Sequence, residues 1–270
     1  MTTYVYDGSF DGFLCAVRRA LGRPRAVRRL PGGAPMPDAV PQEAGVAPFA
    51  AAQADLFSRR VEVVTDPSEA AALDGELRRI GGGAEIEVLL RCHASGDGRA
   101  PSLLLHYVAE TLRGGRPVGS RLTDPRILAV RKLDEKVRFE ISRFMGLVRF
   151  RRAAENLWYA PVNPDADIVG FLGPHFADRL SGQSFLIHDE RRDTAFWHGD
   201  GAFGIAVLSR MPGALRERLR GEAEPEISAL WKEYFRRIAI PQRRNPRLQA
   251  RLLPRRYRPC LVETEDRQPP

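Results

Sequence analysis

Cysteine is scarce. Cys15, Cys92 and Cys260 are odd in number, far apart and never arranged as CxxC, which excludes a disulfide framework and a thiolate zinc or iron–sulfur centre. No run approaches the ~20 apolar residues that a bilayer-spanning helix requires. Met1 to Tyr6 shows no basic stretch leading into an apolar one, so a soluble protein of a reducing cytoplasm is expected. HExxH, the HxE and PCxxC pair of the deaminases, a Gly-rich phosphate loop and a nucleophile elbow are all missing. Their absence removes the common metallohydrolase, deaminase, nucleotide-binding and serine-hydrolase signatures, and no cofactor or resident metal is expected.

Positive charge is plentiful. Lys and Arg total 42 against 34 Asp and Glu, a formal +8 with a pI near 9.9, and arginine greatly outnumbers lysine. This balance favours anionic partners, and the guanidinium fork suits phosphate. Between Ile240 and Arg258 stand seven arginines and no acidic residue: Arg243, Arg244, Arg247, Arg251, Arg255, Arg256 and Arg258. Asn245, Gln249 and Tyr257 are interleaved, so the segment 240–258 reads as a phosphate-backbone contact on which Tyr257 stacks a base. The competing structural reading has these arginines capping helix ends or pairing with Glu233 and Glu263.

Hydrophobic residues make up 43% of the chain, enough for a substantial core. Val130, Leu133, Val137, Ile141 and Phe144 recur at helical spacing, which predicts a helix over 125–144. The period then changes. Strands are predicted at Gly146–Arg151 and Asn156–Pro161, a helix from Ile168 through Leu180, and a second strand pair at Phe185–His188 and Ala195–His198. This pattern predicts an α+β fold whose core, residues 145–200, is a four-stranded antiparallel β-β-α-β-β arrangement. Residues 1–122 form a mainly helical part with a Pro-rich loop at 22–54, and residues 123–270 form the α+β core with its basic carboxy-terminal segment. Short strands are expected at Thr3–Tyr6, Arg60–Thr65 and Phe203–Leu208. Helices are expected at Phe10–Leu21, Ser68–Ile80, Ala84–Cys92 and Ser102–Leu112. A further helix, Glu224–Ile240, is expected to bury Ile227, Leu230, Trp231, Tyr234, Phe235 and Ile238.

The candidate catalytic groups are His175, His188 with Asp189, and His198 with Asp200. On neighbouring strands His188 and His198 would let imidazoles and carboxylates converge for acid–base chemistry or metal binding. The bland alternative makes His175 a satisfied core residue and the other two strand-end residues, with His93 and His106 structural. Asp7, Ser9 and Asp11 straddle a Gly-Ser turn, where helix capping competes with cation binding or nucleophilic chemistry. In the strands, Trp158 and Trp197 are expected in the core. Tyr159 would share a face with Arg149 and Arg151, a second basic surface for nucleic acid, if the register permits.

Several blocks carry a resemblance: Tyr6–Gly12 (YDGSFDG), Arg143–Phe150, Pro174–Arg179, Ile187–Asp189, Ile238–Gln249 and Pro254–Tyr257. Through them the chain resembles a bacterial family, a domain of unknown function associated with DNA metabolism and repair, over nearly all its length except the Pro-rich stretch. Members resemble genomic companions of a radical-SAM protein of DNA modification or repair, and a similar domain occurs fused to a uracil-DNA-glycosylase-like domain. The resemblance implies a DNA-linked accessory role, with DNA favoured over RNA and a radical-SAM partner. Where members carry Tyr-Trp this chain has Tyr257-Arg258, and no glycosylase motif accompanies it. Three functions remain open: a nucleic-acid-binding accessory protein, a nucleic-acid-processing enzyme with a His/Asp site, and a protein-docking module.

Overall fold

The computed structural model describes residues 2–22, 44–49, 59–208, 219, 225–238, 240–243, 245–253, 257 and 261. The chain divides into two compact units, Met1–Arg138 and Phe139–Pro270.

In the first unit, strand β1 (Thr2–Tyr6) is central to a three-stranded parallel sheet, flanked by β2 (Ala44–Pro48) and β3 (Arg59–Glu62). Strand β2 is a correction. It lies inside the stretch expected to be a Pro-rich loop, because Ala44 to Ala47 is a proline-free window and Pro48 closes it at the last strand position. Helix α1 (Phe10–Ala20) buries Phe13, Leu14 and Val17 completely, each contributing about 2 kcal/mol of apolar transfer. Helix α2 (Pro67–Ala94) starts on an Asp66 cap that accepts from the Ser68 and Glu69 amides. The glycines at 81–83, expected to end it, instead kink it: Gly82 takes φ 71° and ψ −168°, and the chain resumes as helix through Ala94. Helix α3 (Ala100–Gly114) closes on Gly115 in the left-handed region, φ 58°. Helices α1, α2 and α3 pack on one another, and β2 packs against α1 and α3. Helix α4 (Pro125–Leu147) begins on Asp124, whose carboxylate accepts from the Arg126 and Ile127 amides.

The α+β class holds, but the core of the second unit differs from the expected meander. It is a five-stranded mixed sheet in the order β4 (Arg151–Ala154), β5 (Leu157–Val162), β6 (Ser184–Asp189), β7 (Thr194–Gly199), β8 (Ala202–Val207). Strands β5 and β6 run parallel, with Tyr159 opposite Leu186 and Pro161 opposite His188. Helix α5 (Val169–Arg179) between them returns the chain to the end from which it left, and a crossover helix of this kind makes the pair parallel. The first strand also begins later than expected. Helical backbone persists through Leu147, and the Val148 amide still bonds the Phe144 carbonyl at 3.0 Å, so residues 146–150 never join the sheet. Helix α5 lies on the face carrying Phe185, Ile187 and Phe196. Its Gly173 has no room for a Cβ, which would sit 2.2 Å from the Phe196 ring.

Beyond the sheet come helix α6 (Pro225–Ile238), a 3₁₀ turn (Pro241–Arg243) and helix α7 (Pro246–Leu252). The α6 stripe overturns an expectation. Leu230 is 70% exposed, Tyr234 53% and Ile238 55%, with Trp231 also at the surface, where the periodicity predicted a buried face. The side chains of Ile227 and Phe235 fall outside the described residues. Trp197 is likewise exposed where a core position was expected. Alternation buries Phe196 and turns Trp197 outward, while Trp158, opposite Phe185, is half-buried. Among the described residues no helix is long and apolar enough to cross a membrane.

Candidate functional site

The basic segment rests on short local structure. Asn245 caps α7, its Oδ1 accepting from the Leu248 amide at 2.9 Å, and Pro246 occupies the first helical turn. Arg247 and Arg251 are therefore one turn apart on the same face, about 6 Å along the axis. Arg243 closes the preceding 3₁₀ turn. All three arginines are exposed, and none has a carboxylate partner among the described residues. Glu233, a proposed neutraliser of this segment, is already taken. It binds Arg237 at 2.7 Å and Arg236 at 3.3 Å, and the Arg237 hydrogen bond holds its carboxyl below the usual range. Arg244, Arg255 and Arg256 lie outside the described residues, as does Glu263, the other acid named as a partner for this segment.

Four other residues assigned to this interface are occupied elsewhere. Tyr257 is 1% exposed and packs edge-on against Phe144 at 5.1 Å, so its ring anchors the carboxy-terminal chain and offers no face to a base. Asn245 spends its side-chain oxygen on the cap. Arg149 donates to the Gly146 and Val148 carbonyls at the end of α4, a C-capping position, and lies 5.6 Å from the Trp231 ring centre. Arg151 does share a face with Tyr159, directly opposite it in the β4–β5 register. Its guanidinium sits 5.0 Å from that ring centre and donates to the Leu219 carbonyl. Tyr159, however, is 1% exposed, so the pair is an internal cation–π contact and no platform for a base.

The sheet keeps the histidines apart. His198 stands opposite Phe185, and His188 is three residues along the same strand, so strand alternation sends the two imidazoles to opposite faces. His198 stacks on Phe185 and bonds the Gln183 carbonyl at 3.0 Å. His188, 3% exposed, bridges the Tyr159 hydroxyl (Nδ1, 2.7 Å) and Asp193 Oδ1 (Nε2, 3.2 Å). A proton on Nε2 satisfies both bonds, with the phenol donating to Nδ1. This buried Tyr–His–Asp chain is a satisfied polar network across β5, β6 and the β6–β7 turn. Asp189, fully buried, turns its carboxylate to the Arg191 and Arg192 amides and to the Arg192 guanidinium at 2.7 Å, bracing that same turn. His175 is exposed beside Phe176 rather than on the buried stripe of α5. The imagined convergence therefore does not form.

The amino-terminal motif is structural. Ser9 Oγ accepts from the Gly12 amide and donates to Asp7 Oδ1 at 2.6 Å, while Asp7 Oδ2 accepts from the Thr65 hydroxyl. His106 does have a carboxylate partner, Asp124 at 2.9 Å, from a loop too distant in sequence for local reading to connect. The surface residues that sequence reasoning misplaced are Trp231 and Tyr234, whose rings lie 5.6 Å apart, centre to centre, and are both exposed. The signal was present as an aromatic pair just before the arginines, but a helical stripe reads as core by default.

The family model for a domain of unknown function, DUF4130, matches residues 99–263. The match begins just before α3 and takes in α4, the five-stranded sheet and the basic segment, leaving the Tyr6–Gly12 motif outside it. No curated protein matches the sequence. Spanning more than half the chain, the match shows that this protein belongs to the DUF4130 family.

Proposed function

We propose that this DUF4130 protein is a nucleic-acid-binding accessory protein of DNA metabolism or repair that works beside a radical-SAM partner. Its contact with the phosphate backbone runs through Arg243, Arg247 and Arg251, extended by Arg244, Arg255 and Arg256. The observation that carries this reading is the exposure of Arg243, Arg247 and Arg251 within nine residues without a carboxylate partner among the described residues, while the nearby Glu233 is spent on Arg236 and Arg237. Three exposed guanidinium groups so close together raise the local potential at which counterion release from a polyanion drives association. Trp231 and Tyr234, just upstream, supply aromatic faces of the kind on which unpaired bases stack. Together these features favour a single-stranded or locally opened substrate, and the family resemblance favours DNA over RNA.

The test is the salt dependence of binding to single-stranded and duplex DNA. Replacing Arg243, Arg247 and Arg251 together by Gln should reduce the slope of log affinity against log salt by roughly 2 to 3. An unchanged slope rejects this surface. A second reading rests on Leu230, Tyr234 and Ile238, whose exposure suits a protein partner. Under that reading Leu230→Ser with Ile238→Ser abolishes copurification with the radical-SAM protein and leaves DNA affinity intact.

A further inference from the structure

The amino-terminal unit contains a half-open pocket of about 500 Å³ between the second half of α2, the α3–α4 loop and α4. That volume falls within the range that holds small organic ligands. Its inner end is built by the α2 kink. Gly81 lies against Glu85 so closely that a Cβ would come within 2.7 Å of the Glu85 Cβ, and the chain restarts beyond Gly82 with Glu85 in the first turn of the new segment. Glu85 is 6% exposed and lines the pocket. It accepts from the Thr111 hydroxyl at 3.2 Å and pairs with the Tyr107 hydroxyl. Burial raises the pKa of Glu85, against the opposing pull of its hydrogen bonds from Tyr107 and Thr111.

The facing wall is α4. Arg131, Asp134 and Arg138 follow at helical spacing, their backbone positions spread over about 10 Å of the axis, and Arg131 is paired with Glu135 at 3.1 Å. Asp134 is buried and fixed by Arg91 Nε at 2.6 Å, and Arg91 also reaches Glu87 at 3.0 Å. Val88, Ile127 and Val130 line the pocket between these polar groups. Arg138 is exposed and has no partner among the described residues. The lining thus offers a buried hydrogen-bond acceptor, apolar walls and one exposed cation, Arg138. A flat heterocycle with N–H donors, joined through a sugar to an anionic group, meets all three features.

We propose that this pocket binds a nucleoside monophosphate, with the N–H edge of the base toward Glu85, the ring against Val88, Ile127 and Val130, and the phosphate at Arg138. The site is lined by residues of the first unit alone and does not depend on the reading given to the basic segment. Isothermal titration of the full-length protein with the four ribonucleoside 5′-monophosphates, their parent nucleosides and inorganic phosphate tests it. At least one monophosphate should bind, and its nucleoside and inorganic phosphate should each bind at least tenfold more weakly. Arg138→Glu, at an exposed position that leaves folding intact, should weaken the monophosphate about tenfold or more, the value of one charge-assisted contact. Glu85→Gln should weaken it and remove its pH dependence. The Arg243, Arg247 and Arg251 variant should bind it as the parent does. Failure of all four monophosphates overturns the assignment. So does binding that survives Arg138→Glu and disappears with the carboxy-terminal arginines.

Discussion

Acid should loosen the amino-terminal unit through one histidine. His93 near the end of α2 is enclosed by Tyr6, Phe10 and Phe13, with ring centres 5.6 to 6.1 Å away, and its Nε2 meets the Tyr6 hydroxyl at 3.3 Å. Burial among these rings lowers its pKa from 6.5 to about 4, and the Asp7 charge opposes the shift only in part. In the unfolded chain the imidazole takes its proton near pH 6.5, while the folded unit refuses it until near pH 4, so the unfolded state binds more protons throughout that interval. Stability is therefore complete above about pH 6.5 and declines as the pH falls, by about 2 kcal/mol at pH 5 and about 3 kcal/mol near pH 4. Carboxylates held low act in a different window. Asp97, brought to about 2 chiefly by its hydrogen bond from Arg99, gives stability that is lost only below the ordinary Asp range. The assay is urea denaturation at a series of pH values with far-ultraviolet circular dichroism as the signal. Trp158, Trp197 and Trp231 all belong to the other unit, so circular dichroism reports on this unit more directly than tryptophan fluorescence. His93→Gln keeps a hydrogen-bonding group and cannot titrate, and its stability should fall much less than the parent's between pH 6.5 and pH 4.5. Equal slopes for the parent and His93→Gln would refute the reasoning.

Gly173→Ala should destabilise the second unit by about 1 to 3 kcal/mol, since its Cβ would overlap the buried Phe196 ring at 2.2 Å; thermal melts followed by tryptophan fluorescence check it. Glu140, 6% exposed, accepts from the Asp165 and Ala166 amides at 2.9 and 3.0 Å and so ties α4 to the loop before α5. Glu140→Ala leaves two donors unpaired and should cost about 2 to 5 kcal/mol, whereas Glu140→Gln, which keeps one acceptor, should cost less; urea midpoints of the two variants give the comparison.

Much of the fold was legible because short-range rules govern it. The 3.6-residue recurrence of Val130, Leu133, Val137, Ile141 and Phe144 does bury one side of α4, and those five residues are at most 8% exposed. Strands β5 to β8 fall within one or two residues of their expected positions, since alternation and turn residues mark them locally. Strand direction was not legible. Whether β6 pairs parallel or antiparallel with β5 depends on where α5 delivers the chain, and no residue in either strand encodes that. The same limit hid β2, whose partner β1 lies about forty residues earlier.

The site was less legible than the fold, because each functional assignment turned on which side of an element meets solvent. His188 and His198 look like partners in sequence, yet a spacing of three between His188 and the residue opposite His198 is odd, and an odd spacing in a strand means opposite faces. Tyr257 looks like a base-stacking residue amid arginines, but in a segment with little else to bury, a large aromatic is the cheapest anchor available, and Phe144 receives it. Burying Tyr257 against the body fixes one end of the basic segment. The Asn245 cap rigidifies its middle, so that Arg247 and Arg251 are held on one face of a short helix instead of on a free tail. The residues that looked most like ligand contacts thus position the arginines proposed as the contacts. If this division of labour is right, Tyr257→Ala should weaken DNA binding by raising the entropy lost on docking while leaving the salt slope unchanged, and a reduced slope would instead place the ring beside the phosphates.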